Sequence, residues 1–379
     1  MTSPAKPHRI LHLVGASEDN GGILSTLRAV AAASDPAQWE HVLWVNSAFL
    51  QTRKPQLTCR YSPNALDETP SPFRFLLAAW RAWPDLQRLL AAEPYAIVHA
   101  HSRGSLPLAV RLARQSRPVL FTNHTYARRT GMYRAAAKLA GLRTVLLTPN
   151  QAQHYGLTPE PGHIDIVSEA GSERFFSEPL SPRPPTSDRP LQLVGIGNIV
   201  GWKKWDLLLD ALHRLPENLR SRIQATIWGP TPADSGARQY SEELRAAVQR
   251  YGMHACFRLA GPTSEVERTL ARADWFILPS TNEPCSVALI EALAMGVPAI
   301  VSASGGNIDI VRDNVTGAHF TPDSGESLSR RLEDILHGNL RPAPPDVIRA
   351  SVADRSARVV ADQYARIYRE MLAAPPSAA

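Results

Sequence analysis

The chain has 379 residues, of which 44% are hydrophobic and 20% charged, and its formal net charge is +6 at pH 7. This length predicts about two globular domains with real cores, and the ordinary apolar content excludes disorder over most of the chain. Three cysteines are too few for a disulfide framework and their spacing fits no zinc site, so a reducing compartment is expected. No stretch reaches the ~18 apolar residues of a membrane span, and the N-terminus lacks the apolar core of a signal peptide. A cytoplasmic protein is expected.

The positive charge is concentrated in one part of the chain. Between Pro94 and Pro159 there is no Asp or Glu, whereas the same stretch holds nine Lys and Arg residues. Such a local basic field attracts phosphorylated ligands, acidic lipid headgroups or nucleic acid. A solvated basic face is the alternative, and composition alone does not choose between the two.

In the first half, short apolar runs alternate with amphipathic stretches. Strands are predicted at 9–14, 40–46, 95–101, 118–124, 143–149 and 164–168, and helices at 21–34, 71–93, 105–116 and 133–142. Strands that alternate with helices of this length indicate parallel βαβ units, with helices on both faces of the sheet.

Residues 178–190 interrupt this pattern with five prolines, which predicts a linker. The alternation then resumes, with strands at 191–197, 223–230, 256–261, 274–280, 297–303 and 318–322 and helices at 205–215, 241–252, 265–273 and 286–296. A last amphipathic helix is predicted over 352–374. The expected organisation is an N-terminal domain over 1–178, a linker over 179–190, a C-terminal domain over 191–355, and a helix over 356–374 that crosses back to the first domain.

Two doubly wound, Rossmann-like α/β domains that face each other across a cleft are therefore the predicted fold. Sheets of this type bind ligands at the carboxyl ends of their strands. Gly195, Gly197 and Gly201 also approach a dinucleotide-binding fingerprint, which keeps an NAD(P)-dependent oxidoreductase as an outside alternative. The next strand ends without the acidic residue that would hold the ribose of that cofactor.

The richest segment runs from Asp274 to Gly306. A buried strand ends in a polar turn with Glu283, Ser286 is a candidate N-cap, and Glu291 lies within the helix that follows. Free amides at a helix start favour an anion such as a diphosphate, and carboxylates accept hydrogen bonds from paired sugar hydroxyls.

This segment, PSTNEPCSVALIEALAMGVPAIVSASGG, resembles the signature of the retaining GT-B glycosyltransferases of family 4, glycosyl transferases group 1. That signature has two glutamates separated by seven residues. By resemblance, Glu283 contacts the donor sugar and Glu291 the ribose hydroxyls. Cys285 and Ser286 stand where Phe-Gly is usual, and together with Val287 they are expected to line the donor site.

The resemblance extends upstream to LQLVGIGNIVGWKKWDLLLDAL, which is similar to the strand, loop and helix that hold the donor pyrophosphate in this family. Lys203 matches the family's lysine, whereas Asn198 takes the place of its arginine, so one positive charge is missing. Lys204 is expected to compensate in part, and Gly229 resembles the glycine turn near the nucleotide base.

In the first half, Gly21 and Gly22 follow the first strand, where the family places a glycine loop beside the donor phosphates and the acceptor. His124 corresponds to the family's histidine that faces the donor sugar. His101 is expected near the acceptor, together with Arg103 and Arg128 of the basic stretch.

The resemblance implies transfer of a hexosyl unit from a nucleotide diphosphate sugar, with UDP favoured over GDP, to a lipid-linked or envelope saccharide with retention of configuration. Lys203, Glu283 and His124 are the candidate catalytic residues. No metal or other cofactor is expected, since no D-x-D triplet occurs, and no nucleic-acid module is recognisable. Two expectations remain open: peripheral contact with an anionic membrane, and a non-catalytic sugar-nucleotide-binding or assembly role in place of catalysis.

Overall fold

The computed structural model describes residues 6–64, 66, 72–101, 103–180 and 189–374. The chain forms two compact units. The first joins the residues up to Ala170 with those from Ala357 onward, and the second runs from Gly171 to Ser356.

The first unit is built on a seven-stranded parallel sheet with the order β3-β2-β1-β4-β5-β6-β7. Its strands are β1 (His8–Leu13), β2 (Trp39–Asn46), β3 (Thr58–Ser62), β4 (Ile97–Ala100), β5 (Val119–Asn123), β6 (Leu142–Leu146) and β7 (Ile164–Ile166). Its helices are α1 (Gly22–Ala33), α2 (Pro72–Ala92), α3 (Leu106–Ala113), α4 (Gly131–Ala137), α5 (Pro149–Tyr155) and α15 (Ala357–Ala373).

Alternation along the strands assigns each side chain of this sheet to one of two cores. Leu11 and Leu13 of β1 point to the core that α2 and α3 cover. Ile10 points to the opposite core, where Tyr364 and Ile367 of α15 are buried. His12 shares the face of Ile10, so β1 presents an imidazole to the side that α1 and α15 cover.

The second unit contains a six-stranded parallel sheet with the order β10-β9-β8-β11-β12-β13. Its strands are β8 (Leu191–Ile196), β9 (Ile223–Trp228), β10 (Phe257–Gly261), β11 (Trp275–Leu278), β12 (Ala299–Ser302) and β13 (Gly317–Phe320). Its helices are α6 (Glu173–Ser177), α7 (Trp205–Arg214), α8 (Glu217–Arg220), α9 (Ser235–Arg250), α10 (Val266–Ala271), α11 (Val287–Ala294), α12 (Asn307–Ile310), α13 (Gly325–Leu336) and α14 (Pro345–Ala350).

The predicted domain boundary at residue 178 lies eight residues beyond the break between the units. Residues 171–178 belong to the second unit because α6 packs on α11 and Phe175 is fully buried. Gly171 also forms a parallel bridge with Ser356, which ties the two crossing segments together. Of the predicted linker, residues 181–188 lie outside the described residues, and Arg189 beyond them pairs with Asp274 at 2.5 Å.

The last helix is shorter than predicted. A 3₁₀ turn occupies Ala353–Arg355 and Ser356 is extended, so α15 begins only at Ala357. Strand β3 and the helices α5, α6, α8, α12, α13 and α14 were not predicted. Among the described residues, no helix is both long enough and apolar enough to cross a membrane.

Candidate active site

Each sheet has one pair of neighbouring strands from which the chain winds in opposite directions. In the second unit these strands are β8 and β11, and in the first unit β1 and β4. Ligands of open α/β sheets bind outside the carboxyl ends of the strands at such a switch point. The predicted site residues can therefore be located relative to these two positions, one unit at a time.

In the second unit, the loops that follow β8 and β11 bring Lys203 and Glu283 together. The Lys203 ammonium donates a hydrogen bond of 2.6 Å to Oε2 of Glu283, and the same oxygen accepts a 3.1 Å bond from Ser280 Oγ. The two charged side chains are only 10% and 9% exposed. The ammonium also lies 4.5 Å from the ring centre of Trp202, in a cation–π arrangement. The sequence placed both charges in the donor site but did not predict that they pair.

Backbone contacts hold Glu283 in place. A Cβ on Gly305, whose φ is +58°, would lie 2.6 Å from the Glu283 carbonyl oxygen, so only glycine fits there. The amide of Gly306 donates a 2.8 Å hydrogen bond to that oxygen. The two glycines that close the family-like motif therefore fix the turn that carries the glutamate.

Two glycines likewise bring the loop after β8 against the end of β9. A Cβ on Gly229 would lie 2.0 Å from the carbonyl oxygen of Gly197, and the amide of Gly197 donates to Trp228 O at 2.9 Å. Asn198, the next residue, is half-buried, and its carbonyl accepts a 3.0 Å bond from Trp205 Nε1. Asn198 supplies no charge here, as the sequence indicated.

The other predicted cation, Lys204, adopts a left-handed backbone conformation between a 3₁₀ turn at Gly201–Lys203 and α7. Its ammonium contacts Asp323 at 3.0 Å, on the surface. Lys203 and Lys204 are therefore engaged by different carboxylates, and only Lys203 is buried.

The start of α11 follows the predicted pattern. Ser286 is the N-cap, with its hydroxyl accepting a 3.3 Å bond from the Leu289 amide. Cys285 and Val287 are buried on either side of it, and Glu291 is half-buried one helical turn further along. The helix ends at Ala294, two residues before the predicted end.

In the first unit, Gly21 and Gly22 stand at the start of α1, and Gly21 has a φ of +89°. Helix α1 begins at Gly22, one residue later than predicted. Arg103 begins a 3₁₀ turn after β4, while Arg128 is exposed in the loop between β5 and α4. The two arginines therefore lie on different loops of the unit.

His101 and His124 follow β4 and β5 and contact each other directly. Nδ1 of His101 lies 3.1 Å from Nε2 of His124, and Nδ1 of His124 lies 2.7 Å from Oε1 of Glu169. The side chains of His124 and Glu169 are 7% and 4% exposed. Both ring nitrogens of His124 are thus already bonded. Glu169 was not predicted as its partner.

The two halves of the chain each match a known protein family. Residues 178–350 match the glycosyl transferases group 1, and residues 26–155 match glycosyltransferase family 4. The chain belongs to this glycosyltransferase family. A sulfoquinovosyl transferase from Arabidopsis thaliana is 29% identical over 177 residues, which cover 45% of this chain and 32% of that protein. The chain spans less than half the length of several glycogen synthases that it also matches.

Solved structures identify the fold of this family member as GT-B. A sucrose-phosphate synthase from Thermosynechococcus elongatus aligns with a TM-score of 0.79 at 18% identity, over 97% of this chain and 100% of that chain. A protein from Anabaena, solved in complex with UDP and glucose, aligns with a TM-score of 0.74 at 15% identity, over 94% and 98% of the two chains. The predicted fold class, two Rossmann-like domains, is confirmed.

A second histidine group lies deeper in the first unit. The ring nitrogens of His12, His99 and His101 include one atom from each residue within 4.8 Å of the others, close enough to consider a metal ion. All six nitrogens, however, already have hydrogen-bond partners. His99 lies inside β4 rather than at its end, where it bonds to Tyr368 and Thr122.

His12 and His41 lie inside β1 and β2 and were not predicted as site residues. The available signal was a polar residue at an interior position of an apolar strand, in RILHLV and EHVLWVN. Polar side chains are rarely buried without a partner. That rule alone indicates that each of these histidines has a buried contact, although it does not identify the contact.

Proposed function

We propose that this protein transfers a hexosyl unit from a nucleotide diphosphate sugar to a saccharide acceptor with retention of configuration. The observation that carries the proposal is the buried Lys203–Glu283 pair at the carboxyl ends of β8 and β11. A cation in a shielded environment stabilises the charge that develops on a departing diphosphate, which is usually the largest contribution to catalysis of this kind. The matched relatives include the Anabaena protein with UDP and glucose, which supports a nucleotide sugar as donor.

In the proposed mechanism, Lys203 neutralises the diphosphate while Glu283 orients the sugar. An ammonium has three donors, so Lys203 can keep its bond to Glu283 and still donate to phosphate oxygens. Glu291 binds the ribose hydroxyls, and the amides at the start of α11 face the anion. The acceptor attacks from the face that the diphosphate leaves, and the leaving phosphate takes the acceptor's proton. No protein nucleophile is then required, and His124 supports the transferred sugar.

A nucleotide panel tests the donor class. We expect one nucleoside diphosphate among UDP, GDP and ADP, added without metal, to raise the midpoint of thermal unfolding by a few degrees. At ~100 times its dissociation constant a ligand stabilises the native state by about 2.7 kcal/mol. The Lys203→Met variant should lose this shift, because its side chain keeps the aliphatic stem without the charge. A shift with NAD alone would support the oxidoreductase, and no shift with any nucleotide would support an assembly role in place of catalysis.

The acceptor is proposed to be held at an anionic membrane that the first unit contacts. Helix α2 exposes Trp80 at 69% and Leu76 at 51%, next to the exposed Arg74 and Arg81. An apolar side chain among arginines on a helix surface is typical of interfacial membrane binding. The acid-free stretch between Pro94 and Pro159 adds positive charge to the same unit.

Flotation with vesicles that contain phosphatidylglycerol tests this contact. We expect binding that phosphatidylcholine vesicles do not show, and a loss of at least about tenfold in the Trp80→Ala variant, since burying one large apolar side chain contributes about 1.5–3 kcal/mol and about 1.4 kcal/mol is tenfold. Trp202→Ala is the matched control, because it removes a 49% exposed tryptophan from the second unit. Equal flotation with both lipid compositions, or equal losses in both variants, would contradict the proposal.

A further inference from the structure

Four histidines of the first unit form one continuous hydrogen-bonded chain. Nδ1 of His41 lies 2.9 Å from Nε2 of His12, and Nδ1 of His12 lies 2.9 Å from Nε2 of His101. His101 is in turn bonded to His124, which is bonded to Glu169. At the other end, Nε2 of His41 lies 3.1 Å from the Oγ of Ser34, a partly exposed residue just after α1. This series of hydrogen bonds thus runs from the partly exposed Ser34 to His124 of the candidate active site.

Strand register explains why these side chains meet. His12 pairs with His99 across β1 and β4, and Ile10 pairs with His41 across β1 and β2. Positions two apart on a strand share a face, so the imidazoles all project toward the side that α1 and α15 cover. Of the described residues that line the cavity beside the imidazoles, those from the two helices are uncharged: α1 contributes Ile23, Thr26, Leu27 and Val30, and α15 contributes Tyr364 and Tyr368.

The protein interior leaves little room for water beside this chain. The cavity that His12, His99, His101 and His124 line has a volume of ≈ 10 Å³, about that of a single water site. Burial also lowers the pKa of His12 and His101 well below 6.5 and that of His41 to about 4. These three imidazoles are therefore neutral at pH 7, and a proton that moves here must pass through the rings themselves.

A neutral imidazole has one N–H donor and one acceptor, so the direction of one bond fixes the next. The Glu169 carboxylate only accepts, which requires Nδ1–H on His124 and leaves its Nε2 as an acceptor. His101, His12 and His41 must then each carry their proton on Nδ1, and Ser34 donates to Nε2 of His41. All four histidines have the same tautomer in this arrangement.

Adding one proton produces a second arrangement that is equally well bonded. The proton binds Nε2 of His41, and the Nδ1 protons of His41, His12 and His101 each move to Nε2 of the next ring. His124 gains one proton and becomes an imidazolium, while the three other rings remain neutral. The Ser34 hydroxyl then donates to the carbonyl of Val30, 2.8 Å away, in place of His41.

We propose that His41, His12 and His101 form a proton relay through which His124 changes its charge while it remains buried. The relay residues are positioning residues, because they act only through His124. The proposal rests on the proposed function, since it is at the transfer site that a cation on His124 supports an anionic donor. The relay makes His124 positively charged only when a proton is taken up at the surface.

Nitrogen-15 NMR of protein labelled in its histidines tests the relay without any substrate. At pH 8 we expect the Nδ1–H tautomer for His41, His12, His101 and His124, each assigned by a single-residue variant. On acidification, His124 should become an imidazolium at the same midpoint at which the other three switch to Nε2–H. In the His12→Phe variant, His41 should show the Nε2–H tautomer throughout, because its Nδ1 has lost its acceptor while Ser34 can still accept.

His99→Gln is the matched control, because His99 packs on His101 with ring centres 3.9 Å apart yet bonds outside the chain. It should leave the four tautomers and their common midpoint unchanged. Mixed tautomers in the wild type, separate midpoints, or an unchanged His41 in His12→Phe would overturn the relay. One equivalent of Zn²⁺ that shifts the nitrogens of His12, His99 and His101 together would identify a metal site instead. The nucleotide panel tests the proposed function separately, so a failure of the relay can be distinguished from a failure of the proposed function.

Discussion

Replacing Lys203 with methionine is expected to lower kcat/KM for transfer from a nucleotide sugar by about 10²–10³-fold. The variant keeps the packing of the aliphatic stem but removes the charge that faces the departing diphosphate. Losing one preorganised electrostatic contact of this type costs about 2.7–4 kcal/mol in the transition state. The measurement is the initial rate of sugar transfer, with the donor that the thermal-shift panel identifies.

The same substitution leaves Glu283 as a buried carboxylate without its cation, so a stability loss of about 3–5 kcal/mol accompanies it. The double variant Lys203→Met with Glu283→Gln separates the two effects. Its amide still accepts from Ser280, and no unpaired charge remains, so stability should recover while activity does not. Recovery of the rate to within tenfold of the wild type would contradict a catalytic role for the pair. Arg214→Met, which removes an exposed ion pair with Asp210 on α7, should leave both rate and stability unchanged.

The architecture was predictable because it depends on short-range pattern. Apolar runs of four to eight residues separated by amphipathic helices specify a parallel sheet locally, and both sheets follow that pattern. The predicted boundary at residue 178 lies beyond the break between the units because prolines mark where the chain is irregular, whereas α6 joins the second unit through packing on α11. Such packing depends on a surface some hundred residues away along the chain. The late start of α15 has a similar cause, since Ser356 is held in the bridge to Gly171.

In the candidate site, too, local features were predictable and long-range contacts were not. The Ser286 cap was predicted from a local motif and is confirmed, whereas the site roles of Glu283 and Lys203 were predicted from the resemblance of the segments that contain them. The Lys203–Glu283 contact was not, because it joins positions 80 residues apart through the adjacency of β8 and β11. To predict the hydrogen-bonded histidines, the register of β1, β2 and β4 would have to be known together. A sequence shows that His12 and His41 are odd in apolar strands, but only strand order shows that they touch.

Acidification should destabilise the first unit strongly between pH 6.5 and about 4. Burial is the leading cause that lowers the pKa of His12, His99 and His101 well below 6.5 and that of His41 to about 4. In this window the unfolded chain binds protons at these histidines and the native state does not, so the free energy of unfolding falls as pH falls. For each histidine, the free energy of unfolding falls by about 1.4 kcal/mol per pH unit below pH 6.5. The four together predict a loss of about 5 kcal/mol at pH 5.5 relative to pH 7.5.

Urea unfolding at pH 7.5, 6.5 and 5.5, read by pulsed hydrogen exchange and mass spectrometry, measures this loss separately for peptides of each unit. The second unit carries none of the four histidines and is the internal control. The Arg60 hydrogen bond lowers the pKa of Glu93 to about 2, but that stabilisation is complete above pH 4.5 and is lost only below it. Carboxylates of this kind therefore do not contribute to the loss measured between pH 7.5 and 5.5. In His99→Gln the loss should shrink by about a quarter. An equal loss in both units, or none in the first, would show that these imidazoles are not neutral and buried in solution.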